Sequence, residues 1–276
     1  MGWPALTKAE HCRVCGEDAL PFGSARILTS LEINYNRCQA CGFVQTEKPY
    51  WLEQAYEQPI SKIDLGIISR NIGLGNTTSA VISALFDSGG RFLDWGGGYG
   101  ILVRLMRDRG FDFYWRDPFC DNLFAQGFEW SDGTRAELVT AFEVLEHLPR
   151  PADDVARMAD IADNMLVSTL LLPEPAPAPG DWWYYVLESG QHVSLYSRRS
   201  LTVLADRLGM FAVSNRGGNV HLFTRSRKAA RAFPLVASRY GVRLRRLLPY
   251  RRSLLDADFA RLSDAGGIPE SSASER

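Results

Sequence analysis

The chain has no run of eighteen apolar residues, so nothing in it reads as a membrane-spanning helix. Met1 to Glu10 lacks a basic stretch leading into an apolar one, and position 6, after the opening Met-Gly, is Leu6 rather than Ser or Thr. Neither a secretory leader nor an N-myristoylation signal is read there, and the expected compartment is the cytoplasm. Cysteine is scarce, with five residues in 276. Acidic residues are missing from Arg225 to Arg252, a stretch with ten Lys or Arg, although the whole chain carries a net charge of only −1. What is present is a hydrophobic content of 46%, enough to bury one large core and a small accessory module.

The most informative stretch is Phe92-Leu93-Asp94-Trp95-Gly96-Gly97-Gly98-Tyr99-Gly100. Apolar Phe92 and Leu93 read as the end of a buried strand, and Ile101, Leu102, Leu105 and Met106 follow at helical spacing. Between them Gly96, Gly98 and Gly100 leave the backbone open to a ligand lying against N–H groups at a helix N-terminus. A dinucleotide fingerprint needs a glycine where Ile101 stands, so NAD and FAD are disfavoured. Asp94 at the strand end would repel a pyrophosphate but suits a ligand with an ammonium group. After a second strand-like run, Phe111 to Trp115, comes Asp117, placed to accept hydrogen bonds from both hydroxyls of a ribose. An adenosine with a cationic 5′ end satisfies both acids.

The second signal is a repeated C-x-x-C, Cys12 with Cys15 and Cys38 with Cys41, each pair followed by glycine (Gly16, Gly42). Two intervening residues let both thiolates of a pair reach one metal, and the glycine frees the backbone to turn beneath the sulfurs. Four thiolates around Zn²⁺ make a closed tetrahedral site with no position open for catalysis. Two disulfides or four unrelated core thiols are the alternatives, and the absence of a leader disfavours the former. Cys120 has no partner in the sequence pattern. Between Cys15 and Cys38 two bases, Arg26 and Arg37, face three acids, Glu17, Asp18 and Glu32, which is no footprint for phosphates.

From Phe92 to Arg225 the chain resembles the class I S-adenosylmethionine-dependent methyltransferases. The resemblance rests on Phe92 to Gly100 as the cofactor loop, Trp115 to Phe119 (WRDPF), Ala141 to Pro151 (AFEVLEHLPRP) and Gln191 to Met210 (QHVSLYSRRSLTVLADRLGM), in that order. It implies an α/β fold: a Rossmann-like, doubly wound, seven-stranded mixed sheet with a small N-terminal zinc ribbon. It also implies S-adenosyl-L-methionine as cofactor, held by Asp94, Gly96, Gly98, Gly100, Asp117, Pro118, Phe142 and Glu143. Cys41-Gly42-Phe43-Val44-Gln45 is similar to the end of a ribbon carried by small-molecule and sugar methyltransferases, which implies a small polar acceptor. A sugar, nucleotide-sugar or glycan intermediate is the leading class, with a phenolic or quinone acceptor as the alternative. An RNA-modifying or nucleic-acid-binding protein acting through ribbon and basic tail is the further alternative; the N-P-P-[YF] motif used on exocyclic base amines is absent, since Ala141-Phe142-Glu143-Val144 stands in its place, and no nucleic-acid partner is expected.

A sulfonium methyl is already activated, so transfer needs an in-line nucleophile, a sink for its proton and exclusion of water. Two places supply candidates. Glu143 and His147 are expected on one face of a helix with Glu146 beside them, either as a divalent-metal cluster of the kind the resemblance implies for quinone-type enzymes or as a helix cap. His192, in the loop that enters the helix after Ser197, is either an acceptor-side base or a structural hydrogen-bonding residue. Gln191 precedes it, so no adjacent carboxylate pairs with the imidazole.

The remaining segments divide the chain into a zinc-ribbon module (1–50), a methyltransferase domain with an N-terminal helical cap (51–225), and a basic helical extension with a disordered tail (226–276). In the cap, Pro59 and the turn Gly73-Leu74-Gly75-Asn76 are expected to break the helices, and Arg70 either meets the cofactor carboxylate or points to solvent. The proline run Pro173 to Pro179 reads as a stiff loop, and of the aromatics Trp182 to Tyr185 one pair is expected to wall the acceptor pocket. The basic extension, with amphipathic helices broken near Pro234 and Pro249, either packs as a solvated face or makes peripheral contact with an anionic membrane. Oligomeric state is not legible.

Overall fold

A computed structural model describes residues 10–57, 60, 64–247 and 251–266. The N-terminal part is an antiparallel sheet of β1 (Glu10–His11), β2 (Asp18–Ile27), β3 (Leu31–Cys38) and β4 (Val44–Thr46). The cap follows as α1 (Leu52–Ala55) and α2 (Ile67–Leu85). The α/β part then runs β5 (Arg91–Trp95), α3 (Ile101–Asp108), β6 (Asp112–Arg116), β7 (Leu138–Phe142), α4 (Pro151–Ile161), β8 (Asn164–Ser168), β9 (Ser194–Leu195), α5 (Arg198–Asp206), β10 (Phe211–Ser214) and β11 (Val220–Thr224). Helices α6 (Arg227–Val236), α7 (Arg239–Leu247) and α8 (Leu255–Gly266) close the chain.

The larger sheet has the order β10-β11-β8-β7-β5-β6, parallel from β6 through β8 and antiparallel at β11 and β10. It is doubly wound, with six strands among the described residues rather than the seven expected. Between β6 and β7 the described chain forms no named strand, and Gly127 and Gly133 both take positive φ there. One parallel bridge, Trp115 to Glu129, joins this stretch to β6. Phe92, Leu138, Leu166 and Leu222 face one side of this sheet, under α2, α3 and α6, while Leu93, Val139, Val167 and Phe223 face the other.

Helix α2 runs unbroken through Gly73 to Asn76, contrary to the turn expected there. Gly75 lies against the Arg109 guanidinium, and Thr77, Thr78 and Ser79 return their hydroxyls to carbonyls one turn back. Pro59, Pro249 and the tail from 267 onward lie outside the described residues. Pro234 sits inside α6, which continues to Val236.

The N-terminal sheet is joined to the larger part through pairing and a shared core. Strand β9 pairs with β4, extending the small sheet to five strands. Cys12, Val14, Cys38, Cys41 and Phe43 share one apolar cluster with Met158, Tyr196, Leu201 and Leu204. Ser197 donates to the Cys41 carbonyl at 2.6 Å and Arg207 to that of Val14 at 2.5 Å.

Candidate active site

Strand β5 delivers Asp94 and turns at Gly96, Gly98 and Gly100, whose φ values are 69°, 52° and 84°. The left-handed backbone at all three explains the glycines. Gly100 caps α3, and the Gly98 carbonyl accepts from the Trp115 indole N–H at 2.8 Å. Asp94 is buried, and Thr140 donates to its Oδ1 at 2.6 Å. Burial, with a smaller push from the charge of Asp117, raises its pKa to about 7. A buried carboxylate in that condition fits a cationic ligand, which would hold it ionised. Asp117 ends the next strand segment: its Oδ2 accepts from the Gly98 N–H at 2.9 Å, and its Oδ1 from those of Phe119 and Cys120. This ties the acid to the glycine loop and leaves lone pairs for ribose hydroxyls. Pro118 is exposed beside it, and Phe119, exposed too, stacks on Tyr56 from the cap at 4.5 Å.

Beyond β7 the expected helix face does not form. Phe142 ends the strand, Glu143 takes a positive φ of 55°, and only a short 3₁₀ turn, Leu145–His147, follows. Strained non-glycine backbone of this kind persists where the surroundings fix it. Here Ser168 fixes it, accepting from the Glu143 N–H at 2.9 Å and donating to its Oε1 at 2.5 Å. Glu143 is therefore turned to the tip of β8 and does not join Glu146 and His147 as a set. Arg70 pairs with both oxygens of Asp64, at 3.1 and 2.6 Å.

The structure substitutes His192 for Glu143. Donor atoms of Glu146, His147 and His192 all lie within 4.8 Å of one another, and the two imidazoles meet edge to face at 4.8 Å between centroids. The buried Tyr184 hydroxyl donates to Glu146 Oε1 at 2.5 Å, while Glu146 Oε2 and His147 Nδ1 are buried with no hydrogen-bond partner. Burial raises the Glu146 pKa to about 8, lowers that of His192 to about 4, and holds His147 well below the usual imidazole range. His192 Nδ1 lies 2.7 Å from the Tyr184 carbonyl oxygen. A carbonyl only accepts, so Nδ1 carries the proton and Nε2 a free lone pair. The N-terminal part holds this loop: Trp51 Nε1 donates to the Gly190 carbonyl, Gln191 Nε2 to that of Ala55 (both 2.8 Å), and Thr46 N to that of Val193. Of the four aromatics, Tyr184 and Tyr185 are buried and Trp183 is 72% exposed. The sequence offered no sign of the Tyr184 to Glu146 bond.

In the ribbon, the sulfurs of Cys12 and Cys41 are 3.6 Å apart and those of Cys15 and Cys38 3.4 Å, with all four within 4.8 Å. Gly16 and Gly42 take φ of 86° and 74°. A tetrahedral Zn²⁺ site with bonds of about 2.3 Å has sulfur separations of about 3.8 Å, so the four thiols fit that ion.

A methyltransferase-domain family profile matches residues 76–214, half of the chain, and the chain belongs to that family, the class I S-adenosylmethionine-dependent methyltransferases. No curated protein sequence matches it. Similar solved structures include an O-methyltransferase family protein from Burkholderia thailandensis, at 13% identity and a TM-score of 0.45, aligned over 57% of this chain and 56% of that one. Magnesium protoporphyrin IX methyltransferase from Synechocystis with bound S-adenosylmethionine aligns at 13% identity and a TM-score of 0.37, over 63% and 90% of the two chains. Human N-acetylserotonin methyltransferase aligns at 15% and 0.42, over 64% and 66%. The chain thus spans little more than half the length of the first of these, and likeness at these scores adds nothing to the family assignment.

Proposed function

We propose that the chain transfers a methyl group from S-adenosylmethionine to a small polar acceptor, a sugar, nucleotide-sugar or glycan intermediate, with His192 taking the acceptor's proton. The observation that carries this reading is the bare Nε2 of His192. Its tautomer is fixed by the Tyr184 carbonyl, and the ring contacts His147, which lies 6.3 Å from the ring of Tyr56 above Phe119 and the Asp117 segment. Asp94, Gly96, Gly98, Gly100, Asp117, Pro118, Phe142 and Glu143 form the cofactor side in this reading, Asp117 at the ribose and Asp94 near the cationic end. The cofactor supplies the electrophilic methyl; the chain's residues position the acceptor, exclude water and hold the proton. Residues 1–50 act as a ribbon in which Cys12, Cys15, Cys38 and Cys41 hold a structural Zn²⁺, 51–225 as the methyltransferase domain, and 226–276 as an extension. Incubating a host small-molecule extract with the protein and deuteromethyl-labelled S-adenosylmethionine tests the reading by mass spectrometry. A labelled sugar derivative is the expected product, and absence of any labelled product overturns the activity.

A second reading, O-methylation of a phenolic or quinone acceptor, is favoured by one observation. The orphaned Glu146 Oε2 and His147 Nδ1 converge with His192 as a donor set suited to a divalent metal, which would hold an acceptor hydroxyl as its oxyanion. Loss of turnover on chelation, restored by a divalent ion while the four-cysteine site stays filled, would select it.

A further inference from the structure

We propose that the outward face of α6 and α7 is a docking surface for an anionic lipid bilayer. Helix α6 packs inward through Ala229, Ala230 and Phe233, and Ala237 just beyond it, against the sheet and α2. Helix α7 starts hard against the end of α6, where a Cβ on Gly241 would lie 2.3 Å from the Val236 carbonyl oxygen. On its inner side Arg245 is buried and donates to the Ser83 hydroxyl at 2.9 Å.

Helix α7 exposes an apolar stripe beside its arginines. Its one charged residue described as buried is Arg245, while Tyr240, Leu244 and Leu247 are 59, 63 and 81% exposed. Their spacing puts them in one stripe. Leu235, near the end of α6, is 70% exposed. Exposed Arg239 and Arg243 flank the stripe and Lys228 is exposed on α6, whereas Arg227 and Arg231 turn to a groove that they share with Asp206 and Phe211. No acid occurs in the sequence between Arg225 and Asp256. The Arg239 guanidinium lies over the Tyr240 ring at 4.6 Å and donates to its hydroxyl, keeping a cation beside the apolar stripe.

Bases alone would suit any polyanion, and exposed leucines alone any apolar surface. Their combination on one face matches the lipid headgroup layer, where arginines meet phosphates while leucines enter the acyl boundary and tyrosine sits between. Nucleic acid would use the arginines but gain nothing from Leu244 and Leu247. Helix α7 is too short to span a bilayer, so it would lie in the plane of the interface and bind reversibly.

Vesicle co-sedimentation of the full chain tests this, comparing phosphatidylcholine alone with phosphatidylcholine containing about 30 mol % phosphatidylglycerol. The expected result is binding to the anionic vesicles only, weakened by salt, and reduced at least about ten-fold both by Leu244→Glu with Leu247→Glu and by Arg239→Glu with Arg243→Glu. Melting temperature and S-adenosylmethionine affinity should stay unchanged. If the double leucine variant melts lower, Leu247→Glu alone, at the most exposed position of the stripe, carries the test. Three outcomes overturn the proposal: no binding to anionic vesicles; binding that the arginine variant abolishes but the leucine variants leave intact, matched by equal affinity for RNA; or leucine-dependent self-association without lipid binding.

Discussion

Asp94 is buried and His192 half-buried, the fold decides the protonation of both, and they set the sharpest expectations at the residue scale. Replacing His192 with Ala should lower kcat by about 10²- to 10⁴-fold, the range of a lost general base, while calorimetric affinity for S-adenosylmethionine stays the same. Equal loss of cofactor affinity would instead make His192 a structural residue. Asp94→Asn should weaken cofactor binding by about ten-fold or more, since a charge-assisted contact in a buried site is removed; unchanged affinity would refute its cofactor role. A third histidine gives a pH prediction free of the active site. His221 is fully buried in β11, between the Ser214 hydroxyl at 2.8 Å and the Thr169 carbonyl at 3.0 Å, and burial lowers its pKa to about 4. A folded-state pKa below the unfolded value of about 6.5 means that the unfolded chain binds the proton first. The contribution is intact above pH 6.5 and is lost as pH falls toward 4, by an amount on the order of 3 kcal/mol. Urea melts of His221→Gln should show a shallower acid limb than the parent between those values; an identical slope would place the acid sensitivity elsewhere.

At the scale of elements, the glycine turn was legible because its chemistry is local: strand, alternate glycines and helix are consecutive, and each glycine adopts the positive φ that the pattern required. The four cysteines were legible for the same reason. Glu143 was misplaced because its role depends on Ser168, a partner that no spacing rule brings near, and the helix assumed from Glu143 to His147 gives way to a strained residue and a 3₁₀ turn. The end of the extension was read by composition alone, which missed α8 (Leu255–Gly266). Asp258, whose side chain is 5% exposed, pairs with Arg107, also 5% exposed, through two bonds of 2.8 and 2.6 Å, and lies 2.9 Å from Arg104. Both arginines belong to α3, the helix that opens at the cofactor loop. Arg261 of α8 donates to the Gly127 carbonyl and lies over Phe128, next to the bridge at Glu129. Helix α8 thus braces the edge left open by the shortened stretch after Asp117. Removing Asp258 as Ala takes the two-bond partner from buried Arg107, which keeps Asp112 at 2.7 Å and the Phe113 carbonyl at 2.9 Å, a change that costs about 2 kcal/mol. A thermal melt should reveal a drop of several degrees or more, and a melt within a degree of the parent would mean that α8 is dispensable.

The whole molecule couples its two sheets through the loop that carries His192, the residue proposed to face the acceptor. Strand β9 follows His192 directly and pairs with β4, while Arg13, in the turn between Cys12 and Cys15, bonds the carbonyls of Thr46 and Glu47 at the end of β4. A continuous path of hydrogen bonds, made by the Arg13 side chain at the cysteine knuckle and by main-chain pairing between β4 and β9, therefore runs to the segment beside His192. The cofactor loop, set by β5 and β6, lies outside that path. Loss of a metal from the ribbon should consequently act on the acceptor side first. With Zn²⁺ bound by the four thiolates, Cys38→Ser should release the ion, as read by elemental analysis, because three remaining ligands no longer close the site. The same variant should lose most of its turnover at a temperature where it is still folded, with an affinity for S-adenosylmethionine within about two-fold of the parent, less than half a kcal/mol. Parallel loss of cofactor binding would mean that the ribbon supports the fold as a whole. Full turnover in a metal-free protein would remove the ribbon from catalysis altogether, leaving His192 held by Trp51, Gln191 and Tyr184 alone.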